Sequence, residues 1–183
     1  MKKSWKLVAM LLLLSFSLSL AACGQSEPAA TEPAAPAATT EEAVAAPEAT
    51  APYPMKYMKP ADLKAAIDAG SKEIIVLDVR KVEDYNKAHI VGAFMGDVDA
   101  ANKGGDDAAG TASLKKALLA ATGSETGKTG VKYALVCYSG KSYAQKATDL
   151  MIQMGVSANQ IVTLEGGMKA WEAGGDDYKA LLK

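Results

Sequence analysis

The chain has 183 residues, which is enough for one ordinary domain and too few for two. Its formal net charge at pH 7 is −1, from 20 lysine and arginine residues against 21 aspartate and glutamate residues. Because there is no basic excess to neutralise phosphates, the composition argues against a general nucleic-acid-binding protein. The two cysteines, Cys23 and Cys137, lie in very different sequence surroundings.

The first 22 residues have the pattern of a bacterial secretion signal. Lysines precede a leucine-rich apolar run, and small residues follow it. Leu20-Ala21-Ala22-Cys23 resembles the lipobox, at which signal peptidase cuts before the cysteine and the thiol is acylated. We therefore predict a signal peptide at residues 1–22 and a palmitate-type lipid anchor on Cys23, in the cell membrane or an outer membrane. The alternative is a plain signal peptide with an incidental cysteine.

Residues 23–52 are predicted to be a tether outside the cytoplasm. After Cys23 the segment consists mainly of alanine, proline, threonine and glutamate, with five carboxylates and no lysine or arginine. Such a composition cannot bury enough apolar surface to fold, so we expect a solvated spacer. A nearly neutral domain is then predicted at residues 53–183. With Cys23 acylated, Cys137 is its one free thiol, which excludes an intramolecular disulfide and a thiolate-rich zinc site.

The predicted domain alternates short apolar runs with helical patterns. Strands are predicted at 74–79, 91–95, 133–137 and 161–164, where β-branched or apolar residues lie between polar ones. Helices are predicted at 60–70, 82–88, 113–121, 142–154 and 168–173, and a loop at 96–110. This alternation predicts an α/β domain in which helices cover both faces of a parallel sheet.

The segment CYSGKS follows a predicted buried strand and opens a helix. Ligands of parallel sheets bind outside the carboxyl ends of the strands, where Cys137 lies. Backbone N–H groups in this turn could curl around the sulfur and, with the helix N-terminus, form a nest that favours a thiolate. The candidate loop residues are Tyr138, Ser139, Gly140, Lys141 and Ser142. Gly140 permits the twist that such a nest needs, and Lys141 adds a positive charge. The alternative is an inert cysteine in the core.

Several motifs together resemble rhodanese-like domains, the single-domain sulfurtransferase family, over about residues 57–171. They are Leu77-Asp-Val-Arg80, Asp84-Tyr85, His89-Ile-Val-Gly-Ala93, the Cys-x-x-Gly of CYSGKS, Gly155, Val162-Thr-Leu-Glu-Gly-Gly167 and Trp171. The resemblance implies a twisted five-stranded parallel sheet with helices on both faces. It also implies that Asp78 and Arg80 support the loops beside the active site; the alternative is direct contact with the substrate. His89 is interpreted as a packing residue at a helix end, and the alternative is a catalytic base.

The same resemblance implies sulfur transfer at Cys137. The thiolate would take sulfane sulfur from a small donor anion such as thiosulfate, and the resulting persulfide would pass it to a thiol, to a cyanide-like acceptor or to a protein acceptor. The family reaction requires no metal and no organic cofactor.

Two positions depart from the family pattern. Ser142 stands where single-domain members usually carry arginine, and Ala88 stands where glycine usually precedes the histidine. Loss of the arginine removes a cation that would bind a donor anion, and a lysine such as Lys141 does not reproduce its bidentate fork. This keeps open a non-catalytic module that binds a sulfur species or a partner protein. A cysteine-based phosphatase is disfavoured, because Tyr143 occupies the position of that enzyme's arginine.

Overall fold

The computed structural model describes residues 51–183, so the predicted signal peptide, Cys23 and nearly all of the tether lie outside the described residues. Five strands form one parallel sheet in the order β1-β5-β4-β2-β3. Their bounds are β1 Tyr57–Met58, β2 Ile74–Asp78, β3 Phe94–Met95, β4 Lys132–Val136 and β5 Ile161–Leu164. β4 is therefore the central strand, with two strands on either side of it.

Seven helices connect and cover these strands within the described residues. They are α1 Pro60–Asp68, α2 Val82–Lys87, α3 Asp99–Gly104, α4 Asp107–Thr122, α5 Ser142–Gln153, α6 Gly167–Ala173 and α7 Asp176–Lys179. A 3-10 turn at Ala158–Gln160 precedes β5. None of the helices in residues 51–183 has the length and apolar character that a membrane span requires.

Two hydrophobic cores lie on opposite faces of the sheet, because side chains alternate along each strand. On one face, Leu77 of β2 belongs to a core with Leu114 of α4. On the other face, Val76 belongs to a core with Leu63 of α1 and Trp171 of α6. The predicted α/β fold, with a five-stranded parallel sheet and helices on both faces, is confirmed.

The predicted loop at 96–110 is wrong, because two helices occupy most of it. Asp97 accepts a hydrogen bond from the backbone N–H of Asp99 at 2.8 Å, at the start of α3. Asp106 accepts one from Ala109 N–H at 2.9 Å and caps α4. Gly105 adopts a φ of 72° between the two helices, as a helix-ending glycine does. The same aspartates and glycine that resemble loop composition therefore begin and end these helices.

The third strand is shorter than predicted, Phe94–Met95 instead of 91–95. The backbone N–H of Ala93 donates to Ile90 O at 3.0 Å in a turn, and that of Val91 donates to Leu181 O at 2.8 Å. The chain before Phe94 thus pairs with the C-terminal segment instead of with β2. The predicted strands also lacked β1, whose two residues carry little periodic signal.

A buried ion pair closes the carboxyl end of β2. The side chains of Asp78 and Arg80 are 1% and 7% exposed. Arg80 donates from Nε to Asp78 Oδ1 at 3.0 Å and from Nη2 to Oδ2 at 2.7 Å. Its Nη2 also donates to Ala88 O at 2.6 Å, just after α2. Within residues 51–183, every hydrogen bond of the guanidinium goes to Asp78 or to the backbone, an arrangement that fits the predicted supporting role.

We predict that Arg80→Met lowers the free energy of unfolding by about 3–5 kcal/mol, because it leaves the buried Asp78 carboxylate without its partner. The matched control is Lys64→Met, which breaks the exposed pair between Lys64 and Asp68 at 2.7 Å. We expect the control to lose only a small fraction of that amount. Urea unfolding followed by circular dichroism measures both, and equal losses would contradict the structural role of Arg80.

Candidate active site

Cys137 lies immediately after β4, at the carboxyl end of the central strand. It is a free cysteine, and its residue surface is 2% exposed. It belongs to the same core as Tyr143 and Ala144 of α5. Burial alone fits an inert core cysteine as well as a reactive one, so the surroundings of the sulfur decide between them.

The turn after Cys137 brings a backbone donor to the sulfur. The N–H of Gly140 donates to Cys137 Sγ at 3.2 Å, and the 12-residue helix α5 begins two residues later at Ser142. Gly140 is buried and Tyr138 is half-buried, whereas Ser139, Lys141 and Ser142 are exposed. The structure thus places the predicted loop residues in the turn between β4 and α5, where Gly140 N–H is the donor that reaches the sulfur.

The turn after β5 holds this loop in place through backbone contacts. Cys137 O accepts a hydrogen bond from Met168 N–H at 2.7 Å, and Tyr138 O accepts one from Lys169 N–H at 3.1 Å. Gly167 has a φ of 60°, and a Cβ on it would lie 2.7 Å from the backbone nitrogens of Ser139 and Gly140. Only glycine allows the two turns to approach this closely.

Sequence reasoning used Gly166-Gly167 only as part of a family motif and did not assign it to the site. Gly140 depends on the same contact, since a Cβ on it would lie 2.7 Å from Leu164 O and 3.1 Å from Gly166 N. The signal in the sequence is a glycine pair that Glu165 separates from the end of a buried strand. That signal indicates a close backbone approach without naming the partner.

Two tyrosines, one in the loop and one directly after it, donate hydrogen bonds to carboxylates. Tyr138 donates from its hydroxyl to Asp84 Oδ2 at 2.6 Å, and Tyr143 donates to Asp99 Oδ1. Their rings meet edge to face, with centroids 5.1 Å apart. The guanidinium carbon of Arg80 lies 5.9 Å from the Tyr138 ring centroid. The first residue of the loop is thereby tied to α2 and to the buried ion pair.

Hydrogen bonds keep these two carboxylates ionised. The pKa of Asp84 is lowered to about 2 by hydrogen bonds from Lys87 and then from Tyr138. The pKa of Asp99 is lowered, first by the hydrogen bond from Tyr143 and further by Lys103. Burial, followed by the bond to Asp84, raises the pKa of Tyr138, so this phenol remains a neutral donor.

Most cations near the loop already have a partner. Arg80 is paired with Asp78, and Lys81 and Lys103 both face Asp99, at 3.6 and 3.1 Å. Lys141 is exposed in the loop and forms no ion pair within residues 51–183. It is therefore the loop cation with the freedom to meet an anion.

His89 has a packing role, as predicted. Its ring stacks on Tyr85 with a centroid distance of 3.8 Å and an interplanar angle of 8°. Nδ1 lies 2.9 Å from Tyr85 O, and the backbone of His89 exchanges two hydrogen bonds with Lys183 at 2.9 Å. The contacts of His89 thus fix the end of α2 and the C-terminus.

The family model for the rhodanese-like domain matches residues 59–174. None of the curated proteins is significantly similar to the chain. Among solved structures, the rhodanese-like domain of a protein from Anabaena sp. has a TM-score of 0.50 and 18% identity, over 71% of this chain and 80% of that one.

Two further structures are similar at lower scores. A thiosulfate sulfurtransferase from Pseudomonas aeruginosa has a TM-score of 0.48 and 16% identity, over 67% of this chain and 19% of that one. A protein of unknown function from Rhodopseudomonas palustris, described as a possible tyrosine phosphatase, has a TM-score of 0.47 and 19% identity, over 66% and 82%. The family match covers more than half of the sequence and includes every strand after β1. The chain therefore belongs to the rhodanese-like domain family.

Proposed function

We propose that this protein is a sulfurtransferase that carries sulfane sulfur as a persulfide on Cys137, and that a lipid on Cys23 holds it at a membrane with its domain outside the cytoplasm. The observation that carries the proposal is the 3.2 Å hydrogen bond from Gly140 N–H to Cys137 Sγ, in the turn between the central strand and α5. A core cysteine requires no donor aimed at its sulfur. A thiolate nucleophile does.

The proposed transfer takes place in two successive nucleophilic displacements at sulfur. The Cys137 thiolate attacks the outer sulfur of thiosulfate, the S–S bond breaks, and sulfite leaves with the electron pair. A thiolate, cyanide or a protein thiol then attacks the outer sulfur of the persulfide, and the Cys137 thiolate departs. Gly140 N–H and the start of α5 stabilise the anionic sulfur in both steps, because these dipoles are already oriented before the reaction.

One observation supports a second candidate, a module that binds a sulfur species or a partner protein without turnover. The chain's one arginine is Arg80, and its Nε and Nη2 groups donate to Asp78 and Ala88 O. Ser142, the residue at the family's usual arginine position, is exposed and uncharged. Anion binding then depends on Lys141 and backbone N–H groups, which favours weak binding of a dianion.

The first prediction concerns the persulfide itself. Intact-mass analysis of the protein after thiosulfate should show a gain of one sulfur atom, and cyanide should remove it as thiocyanate. Cys137→Ser should show no gain and should unfold at nearly the same urea concentration, because serine is close to cysteine in size. A wild-type protein that gains no sulfur from thiosulfate or polysulfide would favour the binding module.

The second prediction concerns the missing cation. Ser142→Arg should lower the KM for thiosulfate roughly tenfold, because a charge-assisted pair contributes about 1.5–3 kcal/mol. Ser142→Gln adds length without charge and should leave KM unchanged. Steady-state thiocyanate formation measures both variants. A KM that is unchanged or raised in Ser142→Arg would show that a missing cation does not limit donor binding.

The third prediction concerns the tie between Tyr138 and Asp84. Because the pKa of Asp84 is about 2 in the folded protein and 3.8 without these partners, its contribution to stability is complete well above pH 4 and is lost as the pH falls towards 2. The difference in unfolding free energy between wild type and Asp84→Asn should therefore shrink between pH 6 and pH 3. Urea titrations at both values measure it, and a constant difference would contradict the lowered pKa of Asp84, to which Lys87 contributes first and Tyr138 second.

A further inference from the structure

The amino-terminal half of β2 has an open edge. β3 pairs only with Leu77 and Asp78, although β2 begins at Ile74. On its other side β2 is paired with β4 from Ile74 to Asp78. The stretch Ile74–Val76 is therefore a sheet edge without a neighbouring strand on the β3 side.

The backbone direction of this edge follows from two flanking hydrogen bonds. Val79 N–H donates to Val136 O at 2.9 Å, and Asp78 O accepts from Gly96 N–H at 2.8 Å. Because backbone groups alternate along a strand, those of Ile74 and Val76 face the β3 side, as those of Asp78 do. The pairing of Leu77 with Phe94 places Phe94 N–H opposite Val76 O. Ile74 N–H, Ile74 O and Val76 N–H have no hydrogen-bond partner within residues 51–183.

A cavity of about 480 Å³ lies along this edge and is lined from both faces of the sheet. Ile75 and Phe94 contribute from the face that carries α4, and Ile67 and Ile74 from the face that carries α1. The polar lining includes Lys72 and Lys128, and no carboxylate lines the cavity. The edge thus combines unpaired backbone groups, apolar walls on two sides and positive charge.

We propose that this edge binds an extended segment of a partner protein, which adds to the sheet as a short strand beside β2. An added strand pairs its backbone with the free groups of Ile74 and Val76 and sends alternate side chains to the two faces, which matches a lining drawn from both. The lining from both faces favours a segment whose apolar residues alternate. Lys72 and Lys128 favour aspartate or glutamate beside those apolar residues.

This docking edge is separate from the reactive cysteine. The cavity lies at the amino ends of β2 and β4, whereas Cys137 follows the carboxyl end of β4. A segment bound at the edge leaves the loop at 138–142 open to a sulfur donor. Binding should accordingly be the same in Cys137→Ser, so the docking edge and the persulfide chemistry can be tested independently.

The test is a selection of random nine-residue peptides on the full chain, with counter-selection on the Lys72→Glu/Lys128→Glu variant. We expect enriched peptides that alternate apolar residues and carry a carboxylate. Their affinity should fall about tenfold on that variant. It should stay unchanged on Lys116→Glu/Lys179→Glu, which alters two exposed lysines outside the cavity. The double variant at 72 and 128 should still form the Cys137 persulfide at the wild-type rate.

Amide hydrogen exchange resolved by NMR identifies the binding mode. Strand addition should slow exchange at Ile74 and Val76 about tenfold or more, in proportion to the fraction of protein bound. The proposal is overturned if no peptide is enriched, or if bound peptides leave these two amides unprotected. Concentration-dependent self-association that disappears in the Lys72→Glu/Lys128→Glu variant would make a second copy of the chain the occupant and would also overturn it.

Discussion

The contact between two backbone turns controls the geometry at Cys137. The turn after β4 carries the cysteine, and the start of α6, just after β5, donates from Met168 and Lys169 to the carbonyl oxygens of Cys137 and Tyr138. Because both sides of the contact are backbone, its distance is fixed by Gly140 and Gly167, whose missing side chains allow the approach. The direction of Gly140 N–H towards the sulfur follows from this contact, so an oriented dipole is in place before any donor arrives.

The charges around the loop have mostly structural functions. Asp84 and Asp99 hold the two tyrosines, and Arg80 holds Asp78 and the end of α2. Within the described loop at 138–142, the groups that remain to attract an anion are the N-terminus of α5, Gly140 N–H and Lys141. For the proposed sulfur transfer, the chain therefore supplies Cys137 and the Gly140 N–H that donates to its sulfur, while the attraction for a doubly charged donor is weak. The absence of an arginine at position 142 weakens the binding of uncharged or singly charged sulfur donors less than it weakens the binding of thiosulfate.

The sequence predicted the elements whose patterns are local. β5 was predicted at its observed bounds, and β2 was predicted one residue too long at its carboxyl end. Both were found because apolar runs between turn residues define buried strands. α3 and part of α4 were missed because capping aspartates have the composition of a loop. At the site, Cys137 and its loop were predicted from the strand-to-helix order, and the structure places them between β4 and α5. The packing of Gly167 against that loop was not predicted, because it joins segments that only the tertiary fold brings together.

The open edge of β2 exists because β3 is only two residues long, Phe94–Met95. Val91 is bound to the C-terminal segment, so the chain reaches the sheet only at Phe94 and leaves Ile74 to Val76 unpaired. Exposed edges promote association between proteins unless they are shortened, charged or covered. Here two lysines border the edge, and they disfavour a basic or purely apolar partner while they favour an acidic one. The geometry that delays the start of β3 until Phe94 therefore leaves an open edge at the opposite end of the sheet from the thiol.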